Sequence, residues 1–367
     1  MYNVSLKVLE EIEKHGFKAY IVGGYARDLY LNRKSYDVDI CTSATPMDLK
    51  KIFQNIKIND SYGSVILNHN NVRFEITTFR EEGKYKDFRR PDKINYASRL
   101  DIDIHRRDFI INTLCIDKNG EFIDLLGARN DIDNKIIRCV GNPKIKIKED
   151  VLRILRAIRF STILDFEIDK ELEKYILRYK FFLRKLSFYR KKEELDKIFS
   201  SVNKEKGIKL LLDLGLYYSL EIKKLSNIVI TSDAIGIWTQ LNVEHKYPFT
   251  KNEKELMKKI RNLSKNYKVD NKVLYNMGLY IPLIAAEINK KDTDNLKKIY
   301  MNLPIKSRSD IKISAEEICK ELKIKPSHII NEIYTNIEND ILDGKLENDN
   351  KKIKIYIKEL CYNNNRW

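Results

Sequence analysis

The segment from Tyr20 to Ser43, YIVGGYARDLYLNRKSYDVDICTS, constrains the fold of this 367-residue chain more than any other. An apolar run ends in Gly23 and Gly24, an Arg-Asp pair follows, and the next apolar run carries Asp37 and Asp39. Residues two apart on a strand point to the same side, so this spacing predicts two carboxylates side by side. Because glycine lets a ligand approach the backbone closely, the turn after the first strand is predicted to lie against that ligand.

Paired carboxylates behind a glycine turn suit a site that binds a nucleoside triphosphate and metal ions. Phosphoryl transfer to a hydroxyl depends on positioning and on neutralising the triphosphate, usually with two Mg²⁺ ions. Mg²⁺ prefers carboxylate oxygens, so we expect Asp37 and Asp39 to be both its ligands and the catalytic residues. The helix after Gly24 is predicted to offer its first amides to the phosphates. Glu75, in RFEITTF, is either a third carboxylate of this site or an ordinary surface residue.

Three further Asp-x-Asp pairs occur in the chain, so the spacing alone is not specific. None of them follows a strand that ends in two glycines, and all lie in polar or helical surroundings. We therefore interpret them as solvated charges. They are Asp101/Asp103, Asp131/Asp133 and Asp292/Asp294.

Arginine is concentrated towards the N-terminus, where 17 of the 20 arginines precede residue 191, whereas lysine totals 49. The net charge of +16 favours a polyanionic partner, with nucleic acid as the first candidate and a solvated lysine-rich surface as the alternative. Clustered arginines indicate sites that need the planar guanidinium group, which presents several hydrogen-bond donors in a fixed geometry.

The segment EDVLRILRAIRF, Glu149 to Phe160, combines an apolar face with an arginine-rich one. Helical periodicity predicts that the apolar side chains share one side of a single helix. The residues predicted on the opposite side are Asp150, Arg153, Arg156 and Arg159. Since Asp150 and Arg153 lie one turn apart, the Asp150 carboxylate and the Arg153 guanidinium are expected to hydrogen-bond to one planar partner, such as the edge of a base.

GGYARD…DVDICTSATP resembles the first motif of the DNA polymerase β-like nucleotidyltransferase superfamily. More narrowly, it resembles class II tRNA nucleotidyltransferases (CCA-adding enzymes) and the related bacterial poly(A) polymerases. HRRDFIINTLCID, from His105 to Asp117, resembles the family's second motif, with Thr113 and Leu114 in place of the usual Ala-Met. YRKKEELDKIFSS keeps the shape of the fifth motif, although Tyr189 stands where Glu is common.

The resemblance assigns a nucleotide-binding role to eight residues. It implies that Arg107 contacts the triphosphate and Asp108 the ribose, while Gly24 and Arg27 help to seat the nucleotide. The other four of these eight residues, Asp150, Arg153, Arg156 and Arg159, lie in the arginine-rich segment Glu149 to Phe160.

In that segment the resemblance implies that Asp150 and Arg153 select C and A by hydrogen bonds to the base. Arg156 and Arg159 are implied to lie nearer the phosphates. No protein general base is expected.

The charged segment Thr77–Leu100 is either a disordered surface loop or a mobile arm over the active site. A loop at this place in the family matters for adding the final A, and here it is full length and carries Arg80, Arg89 and Arg90. Bacterial poly(A) polymerases usually carry a Gly-basic-basic-Phe stretch ahead of the second strand pair, which SYGSVILNHNNVRFEITTFR lacks. The full-length loop favours A addition, and the missing stretch favours a tRNA nucleotidyltransferase over a poly(A) polymerase.

The expected fold is α+β, because strand-like runs and turns give way to helical periodicity from Lys146 onward. A palm-like nucleotidyltransferase head with a small mixed sheet is predicted over residues 1–139. An all-helical neck (140–200), body (201–270) and tail (271–367) follow, and the lysine-rich body and tail suit a tRNA backbone.

The predicted function is template-independent addition of C, C and A to the 3′ end of tRNA from CTP and ATP, with Mg²⁺ as cofactor. The alternatives are a poly(A) polymerase, an enzyme that adds only CC or only A, a nucleotidyltransferase acting on a small hydroxyl compound, and a non-catalytic RNA-binding protein with a relic head. No apolar run reaches membrane-spanning length and no signal peptide is recognisable, so we expect a cytoplasmic protein. The five cysteines are widely spaced, which is not typical of a zinc site or a disulfide framework.

Overall fold

The computed structural model describes residues 1–54, 56–59, 63–83, 85–86 and 90–364. The chain forms two compact units, Met1–Leu225 and Ser226–Trp367. Among the described residues no helix is long and apolar enough to span a membrane.

The first unit contains the strands. Their bounds are Ala19–Val22 (β1), Val38–Thr42 (β2), Ile56–Asn59 (β3), Ser64–His69 (β4), Val72–Thr78 (β5), Arg80–Glu82 (β6), Tyr85–Lys86 (β7), Arg90–Pro91 (β8), Ile94–Tyr96 (β9), Cys115–Ile116 (β10), Phe122–Ile123 (β11), Ile136–Ile137 (β12) and Glu167–Ile168 (β13). Seven of them form one mixed sheet in the order β11-β10-β1-β2-β5-β4-β3. Within it β2 and β5 run parallel and the other neighbours antiparallel.

The helices of the first unit flank this sheet and then continue the chain. Their bounds are Tyr2–Lys14 (α1), Gly24–Tyr30 (α2), Pro46–Ile52 (α3), Leu100–Arg106 (α4), Ala128–Asp133 (α5), Pro143–Glu149 (α6), Leu152–Leu164 (α7), Lys170–Tyr179 (α8), Phe188–Phe199 (α9), Lys204–Asp213 (α10) and Leu216–Ser219 (α11). Short 3-10 helices lie at Ile110–Asn112, Lys180–Lys185 and Lys223–Asn227.

The two faces of the sheet are covered differently. One face packs on α1 and α3 through a core that includes Ile21, Ile40 and Ile76. On the other face Val22 packs with Ile104 of α4. Because directly opposite residues of neighbouring strands point to the same side, Asp39, opposite Val22, and Glu75, opposite Asp39, belong to the α4 face.

The second unit is helical throughout its described residues. Its helices are Ala234–Leu241 (α12), Lys251–Lys265 (α13), Asn271–Met277 (α14), Tyr280–Ile288 (α15), Thr293–Met301 (α16), Ala315–Leu322 (α17), Ile329–Leu342 (α18) and Asn350–Asn364 (α19), with a 3-10 turn at Arg308–Asp310. Buried isoleucines such as Ile333, Ile337 and Ile353 hold the last helices together.

The predicted α+β class, a mixed sheet followed by a mostly helical region, is confirmed. One detail of the prediction is wrong, because the neck is not all-helical. Strand β13 pairs in parallel with β12, with Ile136 opposite Glu167 and Ile137 opposite Ile168. The division into head, neck, body and tail at 139, 200 and 270 stays a prediction.

Candidate active site

A cleft of about 560 Å³ opens at the end of the α4 face of the sheet, beside α7 and α9. Eight of the ten predicted site residues line it, and Asp150 and Arg153 do not. The cleft is also lined by Gly23, Val38, Arg73, Glu75, Asn112, Phe160 and Lys197. The sequence motifs separated by more than a hundred residues therefore meet in one place.

The two predicted catalytic carboxylates stand together at the start of β2. Asp37 directly precedes the strand, and Asp39 is opposite Val22 on one side and opposite Glu75 on the other. Both aspartates are exposed, and among the described residues neither has a hydrogen bond or an ion pair. Although Asp39 as a whole residue is exposed, the protein atoms around its carboxylate displace part of the water there, and this desolvation raises the pKa of Asp39 to about 6. The charges of Glu75 and Asp37 add to the rise in pKa, and the charge of Arg107 opposes it.

Two adjacent carboxylates without partners are a donor set that fits Mg²⁺, which proteins often hold with one or two carboxylates and the substrate phosphates. Glu75 does lie beside Asp39, as one of the two predicted readings required. Yet among the described residues no three His, Cys, Asp or Glu side chains form a group that could hold a metal ion. The arrangement supports a two-carboxylate site, with Glu75 as a neighbouring negative charge.

The glycine turn places backbone directly against these carboxylates. Gly23 has φ 78° and ψ −138°, a conformation that side chains disfavour. A Cβ on Gly23 would stand 3.2 Å from Asp39 Oδ2 and 3.9 Å from Arg107 Nη1. Gly24 opens α2, and a Cβ there would meet only Arg27 Nη2, at an ordinary 3.7 Å. The residue that must be glycine is therefore Gly23, although Gly24 also lines the cleft.

Arg27 is held rigidly at the wall of the cleft. Its Nη1 donates to Asn112 Oδ1 at 2.6 Å, and its Nε and Nη2 donate to Asp28 Oδ1 at 3.0 and 2.7 Å. The side chain is almost fully buried. Such a fixed guanidinium is suited to binding an anion without further ordering.

Arg107 and Asp108 are each paired with another side chain. Arg107 Nη2 donates to Asp103 Oδ2 at 3.0 Å. Asp108 accepts from Arg156 Nε at 2.6 Å and from Asn112 Nδ2 at 3.3 Å. Although burial opposes it, the Arg156 guanidinium lowers the pKa of Asp108 to about 2. Asp108 is thus an ionised acceptor at the edge of the cleft.

Three guanidinium groups surround one aromatic ring in the cleft wall. Arg159 lies 4.3 Å from the centre of the Phe160 ring, and Arg27 and Arg156 lie 5.4 Å from it. Arg159 Nη1 also donates to the buried Glu194 at 3.1 Å. Burial and the neighbouring Arg156 lower the pKa of Arg159 to about 10, still well above neutrality. This part of the cleft lining carries three guanidinium groups, each of which is paired with a carboxylate: Arg27 with Asp28, Arg156 with Asp108 and Arg159 with Glu194.

Asp150 and Arg153 line a second cavity of about 350 Å³. This cavity shares Arg107, Asp108 and Arg156 with the cleft, so the two spaces adjoin. A base could therefore occupy the second cavity while its triphosphate occupies the cleft.

The prediction that Asp150 lies on the same helix as Arg153 is wrong. Helix α6 ends at Glu149 and α7 begins at Leu152, so Asp150 lies between them and caps the amide of Leu152 at 3.0 Å. Its carboxylate accepts from Arg190 Nη1 and Nη2 at 3.3 and 2.9 Å.

Arg153 has partners of its own. It donates to Glu149 Oε2 at 2.6 Å and to the Lys146 carbonyl at 2.8 Å. These side-chain bonds of Asp150 and Arg153 thus go to different partners, although the Arg153 amide donates to the Asp150 carbonyl at 3.0 Å. The same cavity is lined by Arg190 from α9.

Sequence reasoning missed Arg190, Asn112 and Phe160 as site residues. Arg190 lies next to Tyr189, which is 62% exposed, so the motif was found but the residue that lines the cavity is its neighbour. Asn112 and Phe160 belong to the two arginine segments: Phe160 directly follows Arg159, and Asn112 lies five residues after Arg107.

Two aspartates interpreted as solvated charges are buried. Asp103 is fully buried and Asp131 is 2% exposed. Asp103 binds two arginines and Asp131 forms an ion pair with Arg138 at 3.2 Å. The interpretation was wrong because a helix face that packs on the sheet can carry an aspartate when arginines accompany it.

The charged segment Thr77–Leu100 contains two short antiparallel ladders, β6 with β9 and β7 with β8. Arg80 in β6 donates from Nε to Glu82 at 3.0 Å. Arg90 lies in β8, and the predicted Arg89 lies outside the described residues. The stem of this segment is therefore ordered β-structure.

Comparison with known families identifies the class of the chain. Residues 19–138 match the family described as poly A polymerase head domain. Residues 165–224 match the probable RNA and SrmB-binding site of polymerase A, and residues 243–356 match tRNA nucleotidyltransferase domain 2. Together with the paired carboxylates, these matches define a nucleotidyltransferase.

A relative from Ligilactobacillus salivarius, a CCA-adding enzyme, is 34% identical over 95% of this chain and 94% of its own. The chain belongs to the CCA-adding enzyme family. Enzymes of this family generally depend on metal ions.

Solved structures share the fold. The Bacillus stearothermophilus CCA-adding enzyme in complex with CTP has a TM-score of 0.77 at 24% identity, covering 99% of this chain and 98% of its own. The Thermotoga maritima CCA-adding enzyme complexed with tRNA has a TM-score of 0.69 at 20% identity, covering 98% and 95%.

Proposed function

We propose that this protein adds C, C and A in succession to the 3′ end of tRNA, using CTP and ATP as substrates in the cytoplasm. The observation that carries the proposal is the pair of carboxylates without partners among the described residues, Asp37 and Asp39, in a cleft that is also lined by fixed arginines. The CTP and tRNA named with the two solved relatives support this choice of substrates.

In each cycle the 3′-hydroxyl oxygen of the tRNA forms a bond to the α-phosphorus of the nucleotide. The bond to the bridging oxygen breaks, pyrophosphate leaves, and the hydroxyl proton passes to solvent. Asp37 and Asp39 would hold Mg²⁺, which when bound neutralises the triphosphate and makes the attacking hydroxyl more acidic. Arg27 and Arg107 would position the phosphates, and their charge favours departure of the pyrophosphate.

Choice of base is proposed to lie in the second cavity. Asp150 supplies acceptor oxygens, and Arg153 and Arg190 supply donors on the same cavity. The amino groups of C and A need an acceptor and their ring nitrogens need a donor, so this pair of functions suits both bases. Each side chain already has a protein partner, so base binding would exchange one hydrogen bond for another.

Two features favour CCA addition over a poly(A) polymerase. A relative that covers nearly the whole chain is a CCA-adding enzyme. The stretch before β5 also lacks the Gly-basic-basic-Phe sequence usual in poly(A) polymerases.

The proposal is tested by extension of a tRNA that lacks its 3′ CCA, with Mg²⁺ and CTP alone, ATP alone or both. We expect two C residues with CTP and one further A when ATP is added, then a stop. A long ladder with ATP alone would identify a poly(A) polymerase instead. No extension under any condition would contradict the proposal.

Two variants assign the roles within that assay. Asp37→Ala is expected to abolish transfer while tRNA binding, measured by filter retention, survives. Arg153→Ala is expected to reduce the discrimination between CTP and ATP at least tenfold. The control is Lys192→Ala, which removes a cation on α9 that pairs with Asp196, and it is expected to retain this discrimination. Unchanged discrimination in the Arg153 variant would move base choice elsewhere.

A further inference from the structure

Asp103 is a fully buried carboxylate whose neighbours are arginines. It lies on α4, and its side chain is 0% exposed. Arg106 donates to Oδ1 from Nε at 2.8 Å and from Nη2 at 2.7 Å, and Arg107 donates to Oδ2 from Nη2 at 3.0 Å. The backbone amide of Arg80 reaches Oδ1 at 3.4 Å. An ionised carboxylate is stable in such a place only because these donors satisfy it.

The two oxygens of Asp103 serve two different arginines. Arg106 occupies Oδ1 and also lies 3.6 Å from Glu82 Oε1, so its charge is shared between two acids. Glu82 is itself bonded to Arg80 at 2.8 Å. Oδ2 is consequently left to Arg107, which extends the rest of its guanidinium towards the cleft.

The other terminal nitrogen of Arg107, Nη1, lies on the side of the predicted metal ligand Asp39. Arg107 Nη1 and Asp39 Oδ2 both lie within 4 Å of the point where a Cβ on Gly23 would stand. Glu75 is beside Asp39 on the next strand. These carboxylates are alternative acceptors in the same cleft, and an ion pair with them would occupy the oxygens that a metal ion needs.

We propose that Asp103 is a positioning residue for the transfer reaction: it holds Arg107 over the phosphate end of the cleft and prevents that guanidinium from pairing with Asp39. Asp103 touches neither nucleotide nor metal, and acts through Arg107 alone. The inference rests on the proposed function for its substrate, the nucleoside triphosphate.

The test replaces Asp103 by its uncharged isostere and measures CTP binding without tRNA, so that no transfer occurs. We expect Asp103→Asn to weaken CTP binding in Mg²⁺ about tenfold by calorimetry, and to raise the Mg²⁺ concentration needed for half-maximal binding. The matched control is Asp101→Asn on the same helix, whose exposed carboxylate pairs with Arg99 outside the cleft. Asp101→Asn is expected to leave both quantities unchanged.

A double-mutant cycle separates positioning from a general structural role. If Asp103 acts through Arg107, Asp103→Asn has no further effect on CTP binding in the Arg107→Ala background. A tenfold loss in both backgrounds would overturn the proposal.

A second variant covers the case in which Asp103→Asn does not fold. Arg107→Lys keeps the positive charge, but a single ammonium group cannot bind Asp103 and extend into the cleft at the same time, as the two Nη atoms of a guanidinium can. The same weakening of CTP binding is therefore expected. Unchanged CTP binding by Arg107→Lys would also overturn the proposal. If the wild type binds CTP but extends no tRNA, the proposed function fails while the role of Asp103 is still decided by these binding data.

Discussion

Asp39 illustrates how a single site residue opposes stability. Its carboxylate lies beside Glu75 and has no protein partner among the described residues, so its negative charge is poorly compensated when the metal is absent. The pKa of Asp39 is raised from 3.8 to about 6 by loss of solvent and by neighbouring carboxylates. The ionised form therefore destabilises the folded protein at neutral pH, because the unfolded chain releases this proton more readily.

Asp39→Asn is expected to abolish transfer and to raise the melting temperature of the metal-free protein at pH 8. The difference from wild type should shrink as the pH falls from about 6 towards 3.8, because wild-type Asp39 then becomes protonated and neutral. The measurement is thermal unfolding in EDTA at several pH values. A difference in melting temperature that does not vary with pH would contradict this account. Asp101→Asn, which removes a paired and exposed carboxylate, should give no stabilisation.

At the scale of elements, the turn from β1 to α2 fixes the distance between the backbone and the carboxylates. Gly23→Ala is expected to reduce transfer by at least a hundredfold and to destabilise the fold by about 1–2 kcal/mol. The reasons are its φ of 78° and the 3.2 Å approach of a Cβ to Asp39 Oδ2. Primer extension and thermal unfolding measure the two effects.

Gly16→Ala is the matched control for this substitution. Gly16 has φ 87° but nothing lies within 4 Å of a Cβ built on it. It should lose a similar amount of stability and keep its activity. Equal activity losses in the two variants would show that backbone strain alone, and not crowding of the carboxylates, causes the effect.

The elements that the sequence predicted well are those with a clear period or a clear turn. Val72–Thr78 alternates buried and exposed residues and forms β5 over those bounds, and Thr45-Pro46 begins α3 with a capping box. Strand β13 was missed because two residues are too few to show a period.

The site was predictable in part for a related reason. The carboxylates, the glycine turn and the arginine segments carry local motifs, so their residues could be named. The bond from Arg190 to Asp150 joins residues 40 apart, and no local pattern announces such a contact. The burial of Asp103 could not be predicted either, since it depends on which side of α4 packs on the sheet.

At the scale of the whole molecule, the net charge of +16 predicts how tRNA binding responds to salt. Binding of a polyanion releases counterions, so tRNA affinity should fall about 10³-fold or more between 50 and 200 mM salt if six or more phosphates are contacted. CTP binding in the partly enclosed cleft should change much less, because salt screens such pairs weakly. Filter binding and calorimetry measure the two responses. A flat salt dependence for tRNA would mean that the basic surface does not bind it.

The parallel pairing of β12 and β13 joins the chain just after α7 to the chain that precedes α6. The amide of Glu167 donates to the Lys135 carbonyl at 2.8 Å and that of Asp169 to the Ile137 carbonyl at 3.1 Å. The stretch between these bonds, which includes α7, is thus a loop whose two ends are joined to each other by backbone hydrogen bonds. A translation or rotation of α7 that moved the end of this loop would have to break these two hydrogen bonds. We therefore expect the change from adding C to adding A to be a local rearrangement of side chains on a stationary helix.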